Sequence, residues 1–217
     1  MNKFPNLNYE KSLWKKGYLV IGIDEVGRGC LAGPVTVGAV CFKKIGDINN
    51  IIELENIGIN DSKKLTHEKR KTLYSDIQKR ALLFSTATIN VAIINKKGIV
   101  AATQMAVRQA IKNIKSQSQN NYKFFVLADA FYIKYIRGVG LKNQKAIIHG
   151  DEISISIAAA SIMAKVTRDK LMKRLSYKYP LYKWGKNKGY GTADHIKAIK
   201  KHGKTLYHRE LFIRNII

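Results

Sequence analysis

The chain is poor in the residues that build disulfide scaffolds, linkers and acidic surfaces. Its two cysteines, Cys30 and Cys41, form no CxxC pair in 217 residues. That argues against a disulfide framework or a zinc site and fits a reducing, cytoplasmic compartment. There are three prolines, Pro5, Pro34 and Pro180, and no Gly- or Ser-rich tract, so no linker is visible. One domain, or one domain with a small appendage, suits the length. Long apolar runs are missing too. The uncharged stretch Leu82–Asn95 has 14 residues, dotted with Ser, Thr and Asn. A membrane helix needs about 20. Tyr18–Ile23 is apolar but runs straight into Asp24-Glu25, which no secretory signal does. P-loop, serine-hydrolase-elbow and HExxH patterns are all absent.

Negative charge is the scarcest property. Asp plus Glu number 15 against 39 Lys plus Arg, for a net charge of +24. Such a balance predicts a polyanionic partner, nucleic acid before a membrane surface. Part of it also follows from a composition crowded with Lys, Ile and Asn, the bias of an A/T-rich genome. The hydrophobic share of 46% is enough for a core.

Apolar and β-branched runs predict strands at Tyr18–Glu25, Pro34–Lys43, Leu83–Val91, Phe124–Ala128 and Lys145–His149. Lys44–Asn60 is polar and reads as a loop. Thr66 is placed to cap a helix to about Arg80, and Asn95 one to about Ile114. Ile153–Leu175 reads as a long helix with an Ala/Ser-rich start. Tyr177–Gly191 reads as a basic, aromatic loop. Two short helices, about Ala193–Lys201 and Leu206–Asn215, close the chain. Early strands on short loops imply antiparallel pairing, and later strands reached through a helix imply parallel pairing. The sum is a mixed α/β sheet. Residues 1–17 would be an N-terminal extension, 18–176 the main domain and 177–217 a helical cap.

Against so few acids, position is informative. Glu10, Asp47, Glu53, Glu55 and Asp76 sit in lysine-bearing segments and read as solvated charges. Asp24 and Glu25, Asp129 and Asp151 instead follow apolar runs at strand ends. In open α/β sheets sites form outside such ends. Strand-end carboxylates are also common turn formers, and convergence decides between the readings. Converging carboxylates would repel one another unless a hard divalent cation stood between them. Two such ions suit phosphodiester hydrolysis. Neighbours in a strand point to opposite faces, so Asp24 and Glu25 share a site only where the strand ends or bulges. Gly27-Arg28-Gly29 would allow that, and offers backbone that a ligand can approach and a guanidinium for phosphate. Lys63, in Asp61-Ser62-Lys63-Lys64, could serve a phosphate or merely lead into a helix. Lys165 and Arg168 could face phosphates or solvent. Tyr177, Tyr179, Tyr182, Trp184 and Tyr190 alternate with lysines, a pattern suited to nucleic-acid contact or to packing the cap.

The motifs Gly22-Ile23-Asp24-Glu25-Val26-Gly27-Arg28-Gly29, Asp61-Ser62-Lys63-Lys64-Leu65, Gly150-Asp151 with Ile157–Asp169, Gly189-Tyr190-Gly191-Thr192 and His208-Arg209 resemble, in order, those of the ribonuclease HII family. The resemblance spans roughly residues 18–212. It implies a ribonuclease H-like fold: a five-stranded mixed sheet flanked by helices, with a small C-terminal helical extension. It implies Mg²⁺- or Mn²⁺-dependent cleavage of RNA in RNA/DNA hybrids, and incision 5′ of single ribonucleotides in duplex DNA. Asp24, Glu25, Asp129 and Asp151 would be the catalytic ligands of two divalent ions. Gly27, Arg28 and Gly29 would read the 2′-hydroxyl, the group that separates RNA from DNA. Tyr190 would stack on the sugar past the RNA–DNA junction.

Cys30 stands where the family usually has proline, and His208-Arg209-Glu210-Leu211-Phe212 departs from the usual ending. No sliding-clamp peptide is visible at the C-terminus, and a monomer is expected. Two other classes fit the charge: a structure-selective nuclease of a related fold, and a non-catalytic basic nucleic-acid-binding protein. Neither requires Gly-Arg-Gly and Tyr190 beside four carboxylates.

Overall fold

A computed structural model describes residues 4–43, 53–118 and 122–216. Five strands, β1 (Tyr18–Val26), β2 (Val35–Phe42), β3 (Ala81–Ile89), β4 (Lys123–Asp129) and β5 (Gln144–Ile147), form one sheet in the order β3-β2-β1-β4-β5. β1, β2 and β3 pair antiparallel, while β4 pairs parallel with both β1 and β5. This is the mixed sheet expected from the sequence, with the five strands that the family resemblance implies and helices on both faces.

Helices α1 (Asn8–Lys15), α2 (His67–Arg80) and α3 (Val91–Gln117) surround it, with α4 (Gly150–Ile153) and α5 (Ile155–Lys178) after β5. The short α6 (Trp184–Asn187), α7 (Ala193–His202) and α8 (Glu210–Ile213) close the chain. On one face α5 packs with α1 and α2 over Val20, Val40 and Leu127. On the other, α3 packs over Leu19, Ile21, Ile23, Val37 and Ala39. β1 is covered on both faces, which is why it reads as a continuous apolar run instead of an alternating one. A Cβ on Gly22 would lie 2.1 Å from the Ser156 carbonyl carbon, and one on Gly38 would lie 2.1 Å from the Ala160 oxygen. These two glycines let α5 lie directly on the sheet backbone, with Ala158, Ala159 and Ala160 at the contact.

Several boundaries differ from expectation. Thr66 does cap α2, accepting from the Lys69 N–H. α3, however, is capped by Asn90, whose side chain accepts from the Ile93 N–H, and not by Asn95. Local pattern could not choose between two asparagines five residues apart. Asn95 instead bonds the C-terminal segment, accepting from the Glu210 N–H at 3.0 Å and donating to the His208 carbonyl at 3.4 Å. β3 starts two residues early, directly after α2. The expected helix from Ile153 is broken at Ser154, which caps α5 through the Ile157 N–H. Of the expected loop Lys44–Asn60, residues 44–52 lie outside the described residues, and 53–56 form a helical turn.

The N-terminal segment is no loose extension. Glu10, read as a solvated charge, is fully buried and accepts from Ser154 Oγ at 2.6 Å and the Ser156 N–H at 3.0 Å. From the far end of the sequence it satisfies one free N–H of the α5 N-terminus and the hydroxyl of the capping Ser154. Among the described residues, no helix is long and apolar enough to cross a membrane.

Candidate active site

β4 accompanies β1 only as far as the pair Ile23↔Ala128, while β2 continues to Val26↔Thr36. Past Ile23 one side of β1 is therefore open, and Asp24 and Glu25 stand at that opening. The strand neither ends nor bulges there, contrary to expectation. Alternation puts Asp24 on the α5 face with Gly22, and Glu25 on the α3 face with Ile23. The overhang, and not a bulge, lets both flank one gap. Asp129 ends β4 on the same face as Leu127, towards α5. Its Oδ1 accepts from the Gly150 N–H at 2.8 Å, which ties it to the turn carrying Asp151.

The carboxylates feel one another. Burial, then the charge of Glu25, raise the Asp24 pKa well above the ordinary value; Asp129 and Asp151 add to the rise, and a hydrogen bond with Ser161 opposes it. Burial also raises the Glu25 pKa, against the nearby Arg28, whose guanidinium lies 3.2 Å from Glu25 Oε1. Burial, then the charges of Asp61 and Asp129, raise the Asp151 pKa. Asp24, Glu25, Asp129 and Asp151 thus share one field, and buried Asp61, whose charge acts on Asp151, is a fifth. The Asp61-Ser62-Lys63-Lys64-Leu65 motif does not by itself mark Asp61 as buried; its burial is set by the tertiary fold.

The donor set suits a hard cation: all oxygens, partly desolvated and mutually repelling. Glu25 Oε2 is buried without a hydrogen-bond partner. Among the described residues no three acidic, His or Cys groups are drawn close enough to enclose an ion by themselves.

The cations divide sharply. Lys63 Nζ lies 3.7 Å from Asp151 Oδ2 on a largely exposed side chain. Burial works against its charge, but Asp61, Asp151, Asp24 and Asp129 outweigh it and hold its pKa above normal. Lys165 is half-buried and tied to Asp169 at 3.0 Å. Arg168, expected to face phosphate or solvent, does neither. It is fully buried and donates to the carbonyls of Pro34 at 2.8 Å, Lys188 at 2.8 Å and Ala32 at 3.2 Å. Spacing along α5 placed it beside Lys165, yet the last turns of α5 run past the sheet end and beneath the Gly27–Pro34 loop.

That loop is held from below. Gly27 adopts φ +93°, and a Cβ there would strike Arg168 Nε at 2.2 Å. Fully buried Arg209 donates to the carbonyls of Gly27 at 2.6 Å, Arg28 at 2.7 Å and Gly33 at 2.8 Å. Nothing local in the sequence marks Arg209 as buried. Gly29 differs: no protein atom lies within 4 Å of its missing Cβ, and its φ is ordinary. Its bare backbone faces open space.

The expected aromatic interface is only partly on the surface. Tyr182 and Trp184 are buried and stacked 5.2 Å apart in the C-terminal cluster, while Tyr177 and Tyr190 remain exposed. Beneath Tyr190 lies a buried histidine pair. Trp184 Nε1–H donates to His195 Nε2 at 3.0 Å, so the His195 proton sits on Nδ1 and donates to the Tyr190 carbonyl at 2.8 Å. His208 then donates from Nε2 to His195 Nε2 at 3.2 Å and accepts from the Thr205 N–H at 2.9 Å. Both rings are neutral in this arrangement. Burial, reinforced by His195, pushes the His208 pKa down to about 4.

The sequence profile of the family described as Ribonuclease HII matches residues 21–215. The chain is 43% identical over 209 residues to Ribonuclease HII of Caldicellulosiruptor bescii, covering 96% of this chain and 93% of that protein. The crystal structure of ribonuclease H2 from Pyrococcus horikoshii OT3 superposes with TM-score 0.70 at 24% identity, covering 91% of this chain and 96% of that one. Bst-RNase HIII, solved in complex with Mn²⁺, superposes with TM-score 0.67 at 19% identity, covering 90% and 65%.

Proposed function

This chain belongs to the ribonuclease HII family and is a ribonuclease H hydrolase, and on that premise we propose that it cuts RNA in RNA/DNA hybrids and incises 5′ of single ribonucleotides embedded in duplex DNA, leaving 3′-hydroxyl and 5′-phosphate ends. The observation that carries this reading is the juxtaposition, at one open strand end, of mutually interacting carboxylates and a Gly-Arg-Gly loop whose Gly29 faces empty space.

Asp24, Glu25, Asp129 and Asp151 would hold two Mg²⁺ or Mn²⁺ ions. Bst-RNase HIII, which shares the fold, has been solved with Mn²⁺. Such ions supply positive charge to the attacking and leaving oxygens of a phosphodiester. The protein's own groups do the rest. Rigid backbone at Gly27–Gly29 approaches the ribose closely and hydrogen-bonds the 2′-hydroxyl, which a deoxyribose lacks. Arg28, held by Glu25 and over the Phe131 ring at 5.7 Å, offers its guanidinium to a neighbouring phosphate. Tyr190 stacks on the sugar beyond the junction. Exposed Lys63 leaves Asp151 for an incoming phosphate, and Lys165 contributes from the side. Arg168 positions the loop. Residues 18–176 act as the catalytic unit and 177–217 as a cap on it, in a cytoplasmic monomer.

The test is a DNA duplex carrying one ribonucleotide, incubated with Mg²⁺, Mn²⁺ or EDTA. Incision 5′ of the ribonucleotide is expected with either metal and none with EDTA. Absence of the cut under both metals would refute the reading. Asp129→Asn should abolish incision, and full activity in that variant would remove Asp129 from the ligand set.

A further inference from the structure

Two hollows lie one after the other along one side of α3. The first, of about 100 Å³, lies between Arg28, Gln104 and the Phe131–Tyr132 turn. The second, of about 570 Å³, is lined by Arg108, Lys112, Lys115, Tyr135 and Arg137. Gln104 Oε1 accepts from Arg108 at 3.1 Å, linking one to the other. The path therefore starts at the guanidinium of the candidate active site and runs down the helix.

Its charge is unbalanced. Arg108, Lys112 and Lys115 recur at i, i+4 and i+7, on one helix face, where like charges repel. No carboxylate lines either hollow among the described residues. None of the ion pairs among those residues involves these three or Arg137, although lysines elsewhere, such as Lys11, Lys71 and Lys204, find Glu55, Glu68 and Glu210. Arg108 and Lys115 donate to the Lys134 and Arg137 carbonyls, so they also hold the groove's far wall in place. Tyr132 and Tyr135 are exposed along the same line, Tyr135 at 87%. A concave, carboxylate-free cationic groove rimmed by exposed tyrosine fits a polyphosphate backbone.

We propose that this groove carries the phosphate backbone of the duplex arm that leaves the cut on the Arg28 side. The inference rests on the ribonuclease reading above and extends it to the length of substrate engaged. From Thr103 to Lys115 the helix rises about 18 Å, the length of about five base-pair steps. The contact is sequence-independent, since phosphates carry no base identity.

Lys112→Ala/Arg137→Ala tests it, because among the described residues neither side chain makes a hydrogen bond or ion pair that holds another part of the protein. Binding of an all-DNA duplex in EDTA is titrated across salt for wild type and variant. The variant's slope of log affinity against log salt should be shallower by about 1.8, from about 0.9 per phosphate contact. The wild type's advantage is then about tenfold larger at 50 mM than at 200 mM salt. In cleavage of ribonucleotide-bearing duplexes, wild-type KM should rise once one arm falls below about five base pairs, and the variant should lack that step. Equal salt slopes and equal length dependence would overturn the proposal. Failure of the wild type to cut at the ribonucleotide would overturn the functional reading instead, leaving the binding comparison to decide the groove.

Discussion

Lowering the pH should loosen the C-terminal cap through His208, and the size of the effect can be worked out. His208 is fully enclosed, neutral, and donates to His195 while accepting from Thr205. Its pKa falls from 6.5 in the unfolded chain to about 4 in the fold. A depressed pKa means that the folded state binds the proton less well than the unfolded state. The contribution is complete above pH 6.5, is lost as pH falls towards 4, and is flat below. Within that window each pH unit costs about 1.4 kcal/mol for one proton, so pH 4.5 removes about 2–3 kcal/mol relative to pH 7.5. In a chain of this size that is a melting shift of about 5–10 °C. Glu10, Asp24, Glu25 and Asp151 have raised values and act in the opposite sense, gaining stability as pH falls. The assay is therefore a difference: thermal or urea unfolding of wild type and His208→Phe from pH 7.5 to 4.5. The variant should be less stable at pH 7.5, because the Thr205 N–H loses its acceptor, by about 1–3 kcal/mol. The gap should then close as pH falls. Parallel curves across the range would refute the buried neutral pair as the source of the pH dependence.

Two further predictions concern the scaffold of the site. Arg209→Lys keeps the charge but loses the planar fork that reaches the Gly27, Arg28 and Gly33 carbonyls together; unfolding free energy should drop by about 2–4 kcal/mol. Cleavage should lose discrimination for the ribonucleotide more than it loses stability, read as KM and kcat on ribonucleotide-bearing and all-DNA duplexes. Wild-type discrimination in that variant would separate the clamp from substrate reading. Gly22→Ala forces α5 off the sheet by more than 1 Å, given the 2.1 Å approach to Ser156, and should cost about 3 kcal/mol in a urea titration; a change below about 0.5 kcal/mol would mean that the helix shifts freely.

Much of the site was legible because its chemistry contrasts with its surroundings. Asp24, Glu25, Asp129 and Asp151 each follow an apolar run, and in a chain with 15 acids that placement stands out. Strand ends place Asp24, Glu25 and Asp129, and the Gly150 turn tied to Asp129 places Asp151. The reading of Glu10 failed for the same reason that those succeeded: its neighbours Lys11 and Ser12 look solvated, and only the docking of α1 on the α5 N-terminus buries it. Asp61 and Arg209 carry no local mark of burial either. Arg168 was misread because helical spacing tells which residues share a face, and not what that face meets.

Local sequence determined the strands and helices, the mixed pairing and the candidate ligands, since periodicity, caps and apolar runs act over a few residues. Tertiary structure alone decided how the carboxylates share one gap, through the overhang of β1 past β4. It also decided that Arg168 and Arg209 bind carbonyls instead of phosphates. Those outcomes depend on contacts between segments more than 100 residues apart, and the energy of burying a guanidinium is set by which carbonyls the fold brings to it.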